Sequence, residues 1–167
     1  MKHLLTLILF TLTLGCLMAN PQIYRGYSTG GSAAYTYDSS SDKLYKGYST
    51  GGSAIFSIEK SGSLIKIYKG YSTGGSAIYT YDDNSDKLYK GYSTGGSAVM
   101  TCEYRGSILK IYEGYSTGGS AVFSVDCSNS DWKVYKGYST GGSAIFVITE
   151  GRRIPRGFLV YLLGCYL

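Results

Sequence analysis

Histidine, proline and tryptophan are nearly missing from this chain. The one histidine is His3, there are two prolines and one tryptophan, and Asp, Glu, Lys and Arg make up only 16% of the 167 residues. Without a histidine beyond the first few positions, a serine or cysteine nucleophile has no imidazole base, and Cys/His zinc sites lose half of their ligand types. The four cysteines show no C-x-x-C spacing, which argues further against structural zinc. Basic residues are scattered rather than gathered into one run, so the electrostatic footprint of a nucleic-acid binder is lacking. No unbroken apolar run reaches the roughly 20 residues a membrane-spanning helix needs. The sequence thus points away from enzymes, metal or cofactor proteins and nucleic-acid partners.

What is abundant is glycine, with 24 copies, and tyrosine, with 19. The first 19 residues, "MKHLLTLILFTLTLGCLMA", join a basic start at Lys2 to an apolar run and then to small residues, the layout of an export signal. Two cleavage points stand open. "TLGC" resembles a lipoprotein box, which would leave a lipid-bearing Cys16 at the N-terminus and anchor the protein; cleavage after Ala19 would release it. Either way the expected location is outside the cytoplasm: periplasm, cell surface or medium. Removing the leader leaves 15 basic residues against 11 acidic, a net charge of +4. In an exported chain Cys102 and Cys127 are the one pair worth considering for a disulfide, with free thiols the alternative.

From residue 22 to 156 the chain repeats itself. "GYSTGGSA" occurs six times without change, and the tyrosines that open the units, Tyr24, Tyr45, Tyr68, Tyr89, Tyr112 and Tyr135, are spaced by 21, 23, 21, 23 and 23 residues. Each unit reads as two short strands such as "KIYKG" and "AIYTY", rich in β-branched and aromatic residues and alternating with period two. Placing the acid that ends one strand (Asp38, Glu59, Asp82, Glu103, Asp126) opposite the lysine that opens the next (Lys43, Lys66, Lys87, Lys110, Lys133) predicts two-residue hairpin loops. These are Ser40-Ser41, Gly62-Ser63, Asn84-Ser85, Gly106-Ser107 and Asn129-Ser130. Intervals of 21 and 23 preserve that register; 22 would flip every side chain to the other face. By the same parity the "YSTGGS" connection must be odd, which predicts a three-residue "TGG" turn with Gly30, Gly31 and their counterparts as turn residues.

Twelve strands of about five residues leave sheet edges that closure would remove, and the first unit lacks the atypical sequence of a solenoid cap. The expected fold is therefore all-β: six hairpin repeats closing into a shallow, roughly six-fold symmetric 12-stranded ring or barrel, monomeric. Residues 157–167 break the repeat with "FLVYLLGCYL", too short to span a bilayer and read as a strand or short helix filling the centre, with a membrane-inserting tail as the alternative.

The unit "KLYKG-YSTGGS-AIYTY-DDNSD", its period near 20 and the leader together resemble the β-flower proteins, exported bacterial repeat proteins expected to form shallow symmetric barrels of short hairpins. That resemblance implies a six-fold barrel, with the C-terminal segment in its centre as a hydrophobic helix is in Tubby-like domains, and implies no catalytic residue. MORN repeats share the opening "Y-x-G" but not the later glycines. Choline-binding repeats build their cages from tryptophan, of which this chain has Trp132 alone.

Two functions of different class follow. The first is a non-enzymatic structural or interaction module of the cell envelope, membrane-associated if Cys16 is acylated. The second is a multivalent glycan binder using Tyr27, Tyr48, Tyr71, Tyr92, Tyr115 and Tyr138, whose rings could stack on sugars while neighbouring hydroxyls form hydrogen bonds. The partner is accordingly an envelope glycan or a lipid surface, with no metal and no cofactor.

Overall fold

The computed structural model describes residues 19–167. Cys16 and nearly all of the expected leader lie outside them. Twelve strands form: β1 (Gln22–Arg25), β2 (Tyr35–Asp38), β3 (Lys43–Lys46), β4 (Phe56–Ser61), β5 (Leu64–Lys69), β6 (Tyr79–Asp82), β7 (Lys87–Lys90), β8 (Ala98–Arg105), β9 (Ile108–Glu113), β10 (Phe123–Asp126), β11 (Trp132–Lys136) and β12 (Phe146–Ile148). Each pairs antiparallel with its sequence neighbours, and β1 pairs with β12 through Ile23 and Ile148, Tyr24 and Val147, and Arg25 and Phe146. The sheet is a closed barrel without a free edge.

The expected register holds in all five hairpins: Asp38 faces Lys43, Glu59 faces Lys66, Asp82 faces Lys87, Glu103 faces Lys110 and Asp126 faces Lys133. Loop length, however, follows the acid. In the two hairpins with glutamate the ladder continues until Ser61 faces Leu64 and Arg105 faces Ile108. Gly62 and Gly106, at φ of +60° and +63°, then open two-residue loops. Where aspartate stands, its shorter side chain caps the turn instead. Asp38 accepts the Ser40 N–H, Asp82 that of Asn84 and Asp126 that of Ser128, each at 3.0 Å. The expected two-residue loops at Ser40-Ser41, Asn84-Ser85 and Asn129-Ser130 are therefore wider turns, the first two closed by left-handed Asp42 and Asp86.

At the other rim the odd parity is also seen, since eleven residues separate the paired Ile23 and Tyr35, Leu44 and Phe56, and Ile67 and Tyr79. The tight "TGG" turn is not. Left-handed backbone falls on the glycine that begins the motif: Gly26, Gly47, Gly70, Gly91, Gly114 and Gly137 have φ between +77° and +85°. Gly30, Gly31 and their counterparts do not take that conformation. The reversal is made where the strand ends, so the rest of the loop is long enough to return without a second forced turn. Each loop is clamped at its base, as by Gly47 N–H to Ala34 O at 2.8 Å and Ile55 N–H to Leu44 O at 2.7 Å.

Inside the barrel, alternate strand residues such as Ile23, Tyr37, Leu44, Ile67, Tyr81, Leu88, Leu109 and Val134 are fully buried. They surround the C-terminal segment, which enters at the hairpin rim as α1 (Arg156–Tyr161) and continues as a π-helical turn (Leu162–Tyr166). Phe158, Leu159, Val160 and Leu162 have no exposed surface, so each contributes about 1.5–3 kcal/mol of hydrophobic burial as an upper bound. Tyr37 packs on Phe158 with ring centroids 5.6 Å apart, and Phe56 meets Tyr161 edge to face at 5.2 Å. Glycine is required at the start of this plug, where a Cβ on Gly157 would overlap the Tyr81 ring and its Cβ; one on Gly164 would press on the flexible Met100 side chain. Arg156 fixes the entry by ion pairs to Asp83 at 3.1 Å and Asp86 at 2.7 Å. Among the described residues no helix is long and apolar enough to cross a membrane.

Candidate functional site

The six "YSTGGS" loops are almost wholly exposed, and five of them lay their tyrosine against a lysine on the outer face of a strand. The strand residues facing outward beneath them alternate with the core set, so Thr36, Ser57, Thr80, Thr101 and Ser124 are buried under protein rather than under solvent. Four of these hydroxyls donate to the carbonyl of the left-handed glycine above: Thr36 to Gly47 at 2.7 Å, Thr80 to Gly91 at 2.8 Å, Thr101 to Gly114 at 2.6 Å and Ser124 to Gly137 at 2.7 Å. The tyrosines opening each repeat are covered too. Tyr68 and Tyr112 donate to Glu59 and Glu103 at 2.8 and 2.7 Å, and burial together with those bonds pushes both phenols up to about 12.

The second tyrosine of each motif is the opposite case. Tyr27, Tyr48, Tyr71, Tyr92, Tyr115 and Tyr138 all lie on the outer surface, 49–72% exposed, with Tyr48 the most open. The lysines expected to pair with acids turn to these rings instead. Lys43 lies over Tyr71 at 4.1 Å from the centroid, Lys66 over Tyr92 at 3.7 Å, Lys87 over Tyr115 at 3.5 Å, Lys110 over Tyr138 at 4.0 Å and Lys133 over Tyr27 at 4.3 Å. Each lysine serves the loop of the following repeat, and the last serves the first, so the contacts run round the closed ring. None of the five register-paired acids makes an ion pair with its lysine among the described residues; the ion pairs there are Lys60 with Asp42, Arg105 with Glu103, and Arg156 with Asp83 and Asp86. The acids are already occupied by hydroxyl and amide donors, which leaves the ammonium groups to the ring faces, worth about 0.5–1 kcal/mol each at exposed sites.

Within the loop the serine hydroxyl accepts the N–H of the first of the paired glycines, as Ser72 does from Gly74 at 3.1 Å. The second glycine, Gly75 and its counterparts, has open space where a Cβ would go. The fold accounts for Gly70 and only weakly for Gly74. It makes no sterically visible demand on Gly75.

Cys102, Cys127 and Cys165 are free thiols. Burial pushes Cys102 up to about 11 and Cys127 up to about 12, so both stay protonated near neutrality. Cys102 sits 3.2 Å from the Tyr81 hydroxyl, inside the barrel. Among the described residues no three His, Cys, Asp or Glu side chains gather as a metal site. Compared with protein-family models, curated proteins and solved structures, the chain matches none.

Proposed function

We propose that this protein is a non-enzymatic, exported interaction module of the cell envelope, a member of the β-flower group, whose barrel is a rigid frame for six copies of one outward loop. The observation that carries this reading is an inversion of the usual pattern. Strand residues vary between repeats within the constraints of the core, as in "AIYTY", "AIFSI" and "AVMTC". The exposed loop is identical in all six, including a glycine on which the fold makes no evident demand. Six equal surfaces on one body convert weak single contacts into avid binding to a repetitive partner such as an envelope surface. The basic leader with its apolar run supports export, with acylation of Cys16 as the anchoring variant.

The glycan reading retains one specific support, the 49–72% of each loop tyrosine that stays exposed. Five of the six rings already carry a lysine on one face, so a sugar would take the free face or the edge. Co-sedimentation with isolated envelopes tests the reading. The parent should pellet with them, and a variant with Tyr→Ser at all six loop positions should remain in solution while still folded by circular dichroism. Equal pelleting of the two would remove the loops from the function.

A further inference from the structure

The lysine-on-tyrosine ring has one gap, and the gap is a cavity. In β1 the position occupied by Lys43, Lys66, Lys87, Lys110 and Lys133 in the later repeats is Gln22. By the rule that each such residue serves the next loop, Gln22 should cover Tyr48. Its side-chain oxygen instead accepts the Tyr24 hydroxyl. Among the described residues no cation lies over Tyr48, and the ring borders an open cavity of about 620 Å³ lined by Gln22, Thr36, Tyr48, Ser49, Thr149 and Glu150, among others.

The neighbouring repeats show what such a place holds. Lys110, 5% exposed, is the most enclosed member of the ring. Its ammonium lies 4.0 Å from the Tyr138 ring centroid, donates to Ser124 Oγ at 3.0 Å and also donates to the Tyr138 carbonyl. The counterparts of those three groups at the gap are the Tyr48 ring, Thr36 Oγ1 and the Tyr48 carbonyl, and Thr36 and Tyr48 both line the cavity. Glu150 adds a carboxylate to its wall, held by a backbone at φ +49°. Five lysines thus cover a loop ring, Lys110 with the two hydrogen bonds as well, and the sixth place has a ring, a hydroxyl and a carbonyl at the positions that hold Lys110, without a lysine.

We propose that this cavity is a binding site for a primary alkylammonium group, the chemistry of a lysine side chain on a partner, held by a cation–π contact to Tyr48 and hydrogen bonds to Thr36 Oγ1 and the Tyr48 carbonyl. The site is single, unlike the six-fold loop surface, and does not depend on envelope binding.

The test is a titration of the purified protein with Nα-acetyl-lysine amide, followed by the NMR signals of the tyrosine rings. Saturable shifts should occur. The uncharged Nα-acetyl-norleucine amide should bind at least about tenfold more weakly, because the cation–π and charged hydrogen bonds are lost. Gln22→Lys places the missing lysine in the chain, and five equivalent strands already fold with lysine there. It should abolish binding by filling the site from within, whereas Ser107→Ala, at an exposed loop residue of the β8–β9 hairpin, should leave binding unchanged. Equal binding of the norleucine compound, or undiminished binding by the Gln22→Lys protein, would overturn the proposal.

Discussion

Two alanine substitutions five residues apart in one loop should behave oppositely, and the difference measures what the fold asks of the motif. Gly70 has φ of +84°, a conformation that costs an L-residue about 1–2 kcal/mol, and no atom lies within 4 Å of the place an alanine methyl would take, so no clash adds to that cost. Gly70→Ala is therefore a pure test of backbone strain. For a chain of this size, about 2–4 °C of melting temperature is lost per kcal/mol, so the expected fall is about 2–8 °C. Gly75 lies outside the left-handed region and also has open space around its Cα. There alanine restricts the unfolded chain and stabilises by about 0.4–1 kcal/mol, a rise of about 1–4 °C. Thermal unfolding followed by circular dichroism measures both. Equal losses, or a larger loss at Gly75, would show that the paired glycines make the turn after all and that the loop's identity across repeats has a structural cause.

Gly157→Ala should destabilise by about 3 kcal/mol or more in denaturant titration, because the new methyl overlaps Tyr81 in a closed core. Deleting Ser61 and Leu64 together removes one facing pair from the β4–β5 hairpin and should be tolerated, whereas deleting Ser61 alone shifts β4 by one residue and should lower the melting temperature by several degrees more. The Asp126 carboxyl is held below its ordinary range by the Ser128 hydroxyl and N–H. Its contribution is thus present above pH of about 4, the ordinary carboxyl value, and lost as pH falls through the lowered value, so Asp126→Asn should flatten the acid limb of the melting temperature below about pH 4.

The hairpin register is legible in the sequence because charge marks it: an acid and a lysine flank each turn, and parity then fixes which residues face inward. The closed ring follows from edge strands that nothing else would cover. The plug is legible as a central segment but not as a helix, since ten apolar residues carry no period by themselves. The helix fits the barrel because Gly157 lies against Tyr81 and Gly164 against Met100, a matter of three-dimensional packing. The turn chemistry is misleading in the letters because "GG" is the strongest local turn signal, while the residue that must be left-handed is the Gly26-type glycine at the strand's end. The lysines point to acids for a similar reason. Strand neighbours can be read from sequence, but the loop of the next repeat reaches a lysine only after the loops fold back on the closed wall. One signal stands in plain letters, the Gln22 that replaces lysine in the first repeat, and its meaning emerges once Tyr48 is seen beside it.

On the proposed reading the six loops are the working surface, and the barrel is their frame. The most direct test of that claim is envelope binding measured against the number of intact loops, using variants in which Tyr→Ser is introduced into none, two, four or all six, with melting temperature recorded for each. Affinity should fall steeply with each pair of loops removed, as lost multivalency requires, while circular dichroism shows the barrel still folded and the lost lysine contacts lower the melting temperature by about 5–20 °C for all six. Binding that is unchanged when all six tyrosines are gone would contradict it.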